Sequence, residues 1–152
     1  MLPASGDDEN CGWFLPIRVQ NRQSWESVKL TEIGAFGLQR KARIQVQAHY
    51  HAGVDFKRPS HTYFDEPIFP AARGTVISQR TDGPFAQIIV EHCGVARDTV
   101  WTAYEHVAGV KVVIGDLVSP QRPLGRFMNN EELHRHGWQF DHRNGFAYWG
   151  IN

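Results

Sequence analysis

The chain has 152 residues and a mass of 17.3 kDa, the size of one ordinary domain, and its 41% hydrophobic content supports a packed core and excludes wholesale disorder. Sixteen Lys+Arg balance sixteen Asp+Glu, so the net charge is zero and the usual electrostatic footprint of a nucleic-acid binder is missing. No apolar run approaches the roughly 18 residues of a membrane span.

Residues 1–10 are acidic and carry neither a basic nor an apolar leader region, so the chain as given has no secretory signal and is expected to be a mature form or a fragment. The composition of residues 24–33 is compatible with a short helix. From residue 42 onward the pattern is one of short strands separated by turn signals. Residues 42–48 alternate polar and apolar. Residues 75–78 form a strand after Gly74, and Thr81-Asp82-Gly83-Pro84 is a turn that leads into a strand at residues 86–91. Residues 99–104 are β-branched and aromatic. Further short strands are predicted at residues 110–114, at Leu117-Val118 and at Leu124-Gly125. Residues 129–135 predict a late helical turn, and Asn144-Gly145 predicts a terminal hairpin. The fold class is mainly β, an antiparallel β-sandwich or partly open barrel with few short helices.

Cys11 and Cys93 are too few for a disulfide scaffold and form no CxxC pair, so they either make one bridge or remain two thiols. Eight histidines fall between His49 and His142. The sharpest local feature is His51-Ala52-Gly53-Val54-Asp55. Gly53 opposes a helix there, and a loop or bulged strand would turn imidazole and carboxylate toward one point. Zinc accepts such a mixed pair, and a catalytic site adds a third protein ligand and an open position for water. Glu105-His106 and His134-Arg135-His136 supply further candidates, since an HxH pair on a strand points both imidazoles to one face.

Five segments occur in an order that resembles the lysostaphin-type zinc metallopeptidases, peptidoglycan endopeptidases with an antiparallel β catalytic domain. They are His51 to Phe56, similar to an HxGxD segment; Pro67 to Val76; Ile88 to Gly94, ending in Glu91-His92-Cys93-Gly94; Thr102-Ala103-Tyr104-Glu105-His106; and Val112 to Gly125 with its Gly115-Asp116 turn. The resemblance implies a catalytic domain at residues 36–152, with residues 1–35 as an N-terminal segment packing on it. It implies zinc as the cofactor, His51, Asp55 and His136 as the metal ligands, and His106 and His134 as catalytic histidines. The implied activity is metalloendopeptidase cleavage of peptide cross-links in bacterial peptidoglycan, in the periplasm or at the cell envelope, with no nucleic-acid partner and no membrane span.

The last motif departs from the family pattern, and three registers stand open. His134 and His136 form the HxH pair in the first. Asp141-His142 marks the motif in the second, with Asn144 in the place of the third ligand. Phe140-Asp141 matches an aromatic-acidic pair in the third, which leaves Gly137 and Gln139 where histidines belong. The last two predict a crippled zinc site, because a neutral amide is a poor zinc ligand beside imidazole. The alternative function is therefore an inactive member that binds cell wall or a partner and regulates other hydrolases. A biotinyl- or lipoyl-carrier reading of the Val112 to Gly125 hairpin fails for lack of a lysine at its turn.

The remaining candidates have plain structural readings. His49 is expected beside the site or at the surface, His61 in solvent, and His92 on turn backbone. The five tryptophans are expected in the core or in groove walls, and Arg40-Lys41 and Lys57-Arg58 as solvated charges.

Overall fold

A computed structural model describes residues 12–32, 34–42, 47–58, 65–83, 85–93 and 98–135, and every statement of structure refers to these. In chain order the strands are β1 (Gln39–Arg40), β2 (His49–Tyr50), β3 (Pro67–Ile68), β4 (Gly74–Arg80), β5 (Gln87–Cys93), β6 (Thr99–Glu105), β7 (Val107–Ala108), β8 (Leu117–Val118) and β9 (Gly125–Phe127). One short helix, α1 (Asn130–Arg135), follows. All pairings are antiparallel, in sheets of order β1-β2, β3-β9-β7 and β6-β5-β4-β8, and no closed barrel forms among the described residues. The mainly antiparallel β class expected from the sequence is the class observed.

The strand predicted at residues 86–91 becomes part of β5, in the middle of the largest sheet. Ile88, Val90 and His92 alternate along β5 and are all buried, and across the ladder they meet Tyr104, Thr102 and Val100 of β6. Ile68, Val76, Val107, Val118, Leu124, Phe127 and Met128 fill the same core. Full burial of each aliphatic side chain contributes about 1.5–3 kcal/mol. Gly74 opens β4 where the chains touch. A Cβ there would lie 2.3 Å from the Glu91 carbonyl oxygen, so only glycine fits. Further along β4 the register shifts between Val76 and Ser78, a β-bulge at Ile77 that strengthens the local twist.

A buried polar chain runs through this core. His92 Nδ1 donates to the Arg73 carbonyl at 2.8 Å, and Thr102 Oγ1 lies 2.7 Å from both His92 Nε2 and Tyr104 Oη. The Ala71 amide donates to Tyr104 Oη at 2.7 Å. Burial pushes the Tyr104 phenol up to about 12, so it stays neutral at any ordinary pH. Burial likewise depresses His92 below the usual histidine value, which keeps the ring neutral inside the sheet. His92 therefore bonds backbone, as expected, but from within a strand instead of a turn.

Two elements differ from the sequence pattern. Of the expected helix at residues 24–33, the described residues 24–32 hold only a single 3-10 turn, Trp25–Ser27, capped by the Ser24 hydroxyl, which accepts from Glu26 N at 3.3 Å. The chain then becomes extended because tertiary pairing wins over local propensity. Leu30 bridges to Phe56, Lys57 N donates to Lys29 O at 2.8 Å, and Thr31 N donates to Asp55 O at 3.0 Å. Residues 110–114 form no strand. They are held instead by single bonds, Lys111 N to Leu124 O at 2.8 Å and Val113 N to the Asp116 carboxylate at 2.9 Å. Gly115 supplies the positive φ of 96° that the following turn requires.

The late helical turn at residues 129–135 is observed as α1, and its start is a capping box. The Asn129 side chain accepts from Glu132 N at 2.9 Å, and the Glu132 carboxylate accepts from Asn129 N at 2.8 Å. Arg126 of β9 adds a forked pair of bonds to the same carboxylate, at 2.6 and 2.8 Å. This pairing holds Glu132 below the usual carboxylate range.

Residues 12–32 contribute to the same core through Leu15 and Ile17, with Phe14 N bonded to Ala71 O and Phe69 N to Pro16 O. Arg22 stacks over Phe69 with its guanidinium 4.3 Å from the ring centroid, and donates to the Leu15 and Pro120 carbonyls. No helix among the described residues is long and apolar enough to cross a membrane. The expected hairpin at Asn144-Gly145, residues 43–46 of the predicted strand at 42–48, His61, Cys11 and the Cys93 side chain lie outside the described part.

Candidate metal centre

Local sequence brings His51 and Asp55 together. β2 ends at Tyr50, and the chain bends at Gly53 so that His51 Nε2 and Asp55 Oδ1 stand 3.1 Å apart, with 5% and 8% of their side chains exposed. Thr31 and residues 34–40 wrap around this pair. Gly37 N donates to His51 O at 2.7 Å, and His51 N donates to Leu38 O at 2.9 Å. Asp55 N donates to Gly34 O at 2.8 Å, and Thr31 N closes the other side on Asp55 O. Gly34 touches the acid directly. A Cβ on it would lie 2.6 Å from Asp55 O and 2.7 Å from Asp55 Cβ.

The hydrogen bonds define which atoms point into the site. His51 Nδ1 lies 3.1 Å from the Ala35 carbonyl, which only accepts, so Nδ1 carries the hydrogen. The Nε2 lone pair then faces a carboxylate oxygen, an arrangement that needs a proton or a metal cation between the two. Two donors on a tetrahedral zinc, each bonded at about 2.0–2.1 Å, stand roughly 3.3 Å apart. The observed pair is close to that spacing, and a histidine held by a carbonyl through its other nitrogen is the usual support of a zinc ligand. The residues present therefore fit two positions of a zinc site. Among the described residues, no group of three or more His, Cys, Asp or Glu is gathered that could hold a metal.

Arg40 is the residue that the sequence reading misplaced. It is not a solvated charge: its side chain is 15% exposed and its Nη2 donates to Asp55 Oδ2. The cause is the short ladder between β1 and β2, which pairs Arg40 with His49 and so fixes the arginine beside the His51 loop. Nothing in a single sequence names that partner, because the pairing is set by a hairpin whose strands have only two residues each. His49 itself is half-buried, with Nδ1 2.9 Å from the Gln47 carbonyl.

His106 occupies a different kind of position. It joins β6 to β7, where the chain leaves the four-stranded sheet for the three-stranded one, and it is buried. Its φ is +58°, a left-handed conformation that costs a non-glycine residue about 1–2 kcal/mol and that clusters at functional sites. Its ring packs against Phe85 with centroids 5.7 Å apart, and its carbonyl accepts from Met128 N at 3.0 Å. That last bond ties His106 to the segment leading into α1. His134 lies within α1, so its backbone is helical and not on a strand as the HxH reading assumed. The His134 side chain and His136 lie outside the described part, as do residues 137–144 of the other two registers.

No family profile and no curated protein sequence matches the chain. A solved structure does: a zinc-containing peptidase from Vibrio cholerae superposes with a TM-score of 0.54 over 80% of this chain, at 20% sequence identity. The match spans 34% of that longer chain. The His51–Asp55 pair is thus set in a mostly β fold similar to that of a zinc-containing peptidase.

Proposed function

We propose that the chain is a zinc-dependent metallopeptidase that cleaves peptide cross-links of bacterial peptidoglycan, acting in the periplasm or at the cell envelope. The observation that carries this reading is the His51–Asp55 pair, whose Nε2 and Oδ1 converge at 3.1 Å with both side chains buried and anchored. The likeness of fold to a zinc-containing peptidase supports it, and the substrate class follows from the resemblance of the five sequence segments.

His51 and Asp55 hold the metal in this reading, with His136 as the third ligand. Zinc, when bound, would polarise the scissile carbonyl and make water a competent nucleophile near neutral pH. The chain's own contribution is to position and to move protons. The Ala35 carbonyl keeps the hydrogen on His51 Nδ1, so that Nε2 is free to bind. His106, fixed by its strained backbone between two sheets, takes up a proton or hydrogen-bonds the developing oxyanion, and His134 shares that task from α1.

Zinc content of the purified chain after dialysis against metal-free buffer tests the reading, together with cleavage of cross-linked muropeptides followed by mass spectrometry. About one zinc per chain, lost in His51→Ala, and cleavage at a peptide bond are the expected results. A folded chain that takes up no zinc overturns it.

A second reading has its own supporting observation. The last motif departs from the family pattern, and two of its three registers leave the third ligand position without a histidine. An inactive relative that binds cell wall and regulates other hydrolases would retain the fold and sediment with peptidoglycan without zinc and without cleavage.

A further inference from the structure

We propose that Arg40 is a positioning residue for Asp55, fixing the carboxylate so that Oδ1 alone is presented to a metal held with His51; this rests on the zinc reading above. The two carboxylate oxygens face different partners: Oδ1 stands 3.1 Å from His51 Nε2, and Oδ2 takes the Arg40 guanidinium. The arginine therefore engages the carboxylate oxygen that does not face His51. A buried carboxylate with one oxygen unsatisfied is costly, and it is also free to rotate and offer both oxygens at once. An arginine on Oδ2 removes both problems, since its Nη2 bond engages that oxygen while its charge offsets the buried anion.

The backbone on both sides is prepared for this contact. Arg40 lies in β1, paired with His49 of β2, and Asp55 is clasped through its amide and carbonyl by Gly34 and Thr31. The guanidinium and the carboxylate are thus brought together by two separate main-chain ladders, and the ion pair does not depend on flexible side chains finding each other.

Competition titration of zinc against a chelator, on the full chain, tests the proposal with Arg40→Gln and Arg40→Lys beside the parent. Loss of a partner behind a metal ligand typically weakens binding about 10–100-fold, and that loss is expected for Arg40→Gln, with Arg40→Lys in between because lysine keeps the charge but not the planar Nη2 donor that meets Oδ2. Cobalt(II) loaded in place of zinc gives a second readout. Freed to bind through both oxygens, Asp55 raises the coordination number, and the visible d–d bands of Arg40→Gln weaken relative to the parent.

If the parent binds zinc and Arg40→Gln binds it equally well, the proposal fails. Tighter binding by the variant also overturns it and makes Arg40 a competitor of the metal. Arg40→Lys keeps the charge that balances Asp55, so where Arg40→Gln does not fold, parent-like affinity and parent-like cobalt bands in the lysine variant overturn the proposal. A folded parent that binds no zinc overturns the underlying metal reading, a failure distinguishable from these.

Discussion

Two buried histidines, His51 and His92, sit in opposite kinds of surroundings. His92 is closed on both nitrogens by neutral groups, the Arg73 carbonyl and the Thr102 hydroxyl, within a regular ladder. His51 is closed on one nitrogen by a carbonyl and meets a carboxylate with the other, on an irregular loop, and that carboxylate carries an arginine behind it. Burial is alike in the two. What separates the two rings is the charge on the second partner, a neutral hydroxyl at His92 and a carboxylate at His51.

Breaking the contrast at His51 gives the largest effect. His51→Ala should abolish zinc binding, a loss beyond the roughly 100-fold expected for a supporting residue, while the thermal midpoint of the metal-free chain changes little by comparison. Titration with a fluorescent zinc chelator measures it. His92→Val should do the reverse. It leaves the Arg73 carbonyl and Thr102 hydroxyl short of a partner in the core and destabilises by about 2–3 kcal/mol, with zinc affinity retained, as read by urea unfolding and the same titration.

A pH series sharpens the contrast further. The folded state holds His92 below its ordinary value of 6.5, so the unfolded chain binds more protons below that pH. Stability should be fully present above about 6.5 and decline as pH falls toward the lowered folded value. In His92→Val that limb of the stability profile should flatten. Tyr104→Phe leaves the Ala71 amide without its acceptor and should cost about 1–2 kcal/mol without shifting that pH limb.

The smallest effect is expected far from both rings. Glu132→Gln keeps much of the capping box but loses the charge that pairs with Arg126, a cost of about 1 kcal/mol. Because Glu132 is held below its ordinary value of 4.5, its contribution is present above that pH and lost as the pH falls through the folded value. Acid unfolding of the parent and variant should therefore converge at low pH.

Strands β4, β5, β6 and β8 were legible in the sequence because each has a short β-branched run ended by a turn residue. Residues 129–135 were legible as a helical turn from their composition. Residues 24–33 misled because their fate is decided by partners at Phe56 and Lys57, which no local window contains. The spacing of His51 and Asp55 about Gly53 pointed to convergence, and the structure brings the two side chains together. The arginine behind them was not legible, since a basic residue in an exposed-looking stretch reads the same whether it faces water or a carboxylate. His106 was singled out through its sequence context, but its left-handed backbone is a property of the crossing between sheets and has no local signature.

The absence of a side chain at Gly34 has a consequence for how the pair at 3.1 Å keeps its spacing. A Cβ there would meet Thr31 Oγ1 at 2.5 Å as well as the Asp55 carbonyl oxygen and Cβ, so the clearance around Asp55 is set by backbone and by the Thr31 side chain together. Loosening of the hydrophobic interior, by heat or by a trimmed core residue, should leave the gap between the two donors unchanged until the sheet itself gives way, whereas a methyl group on Gly34 acts as a shim and opens it at once.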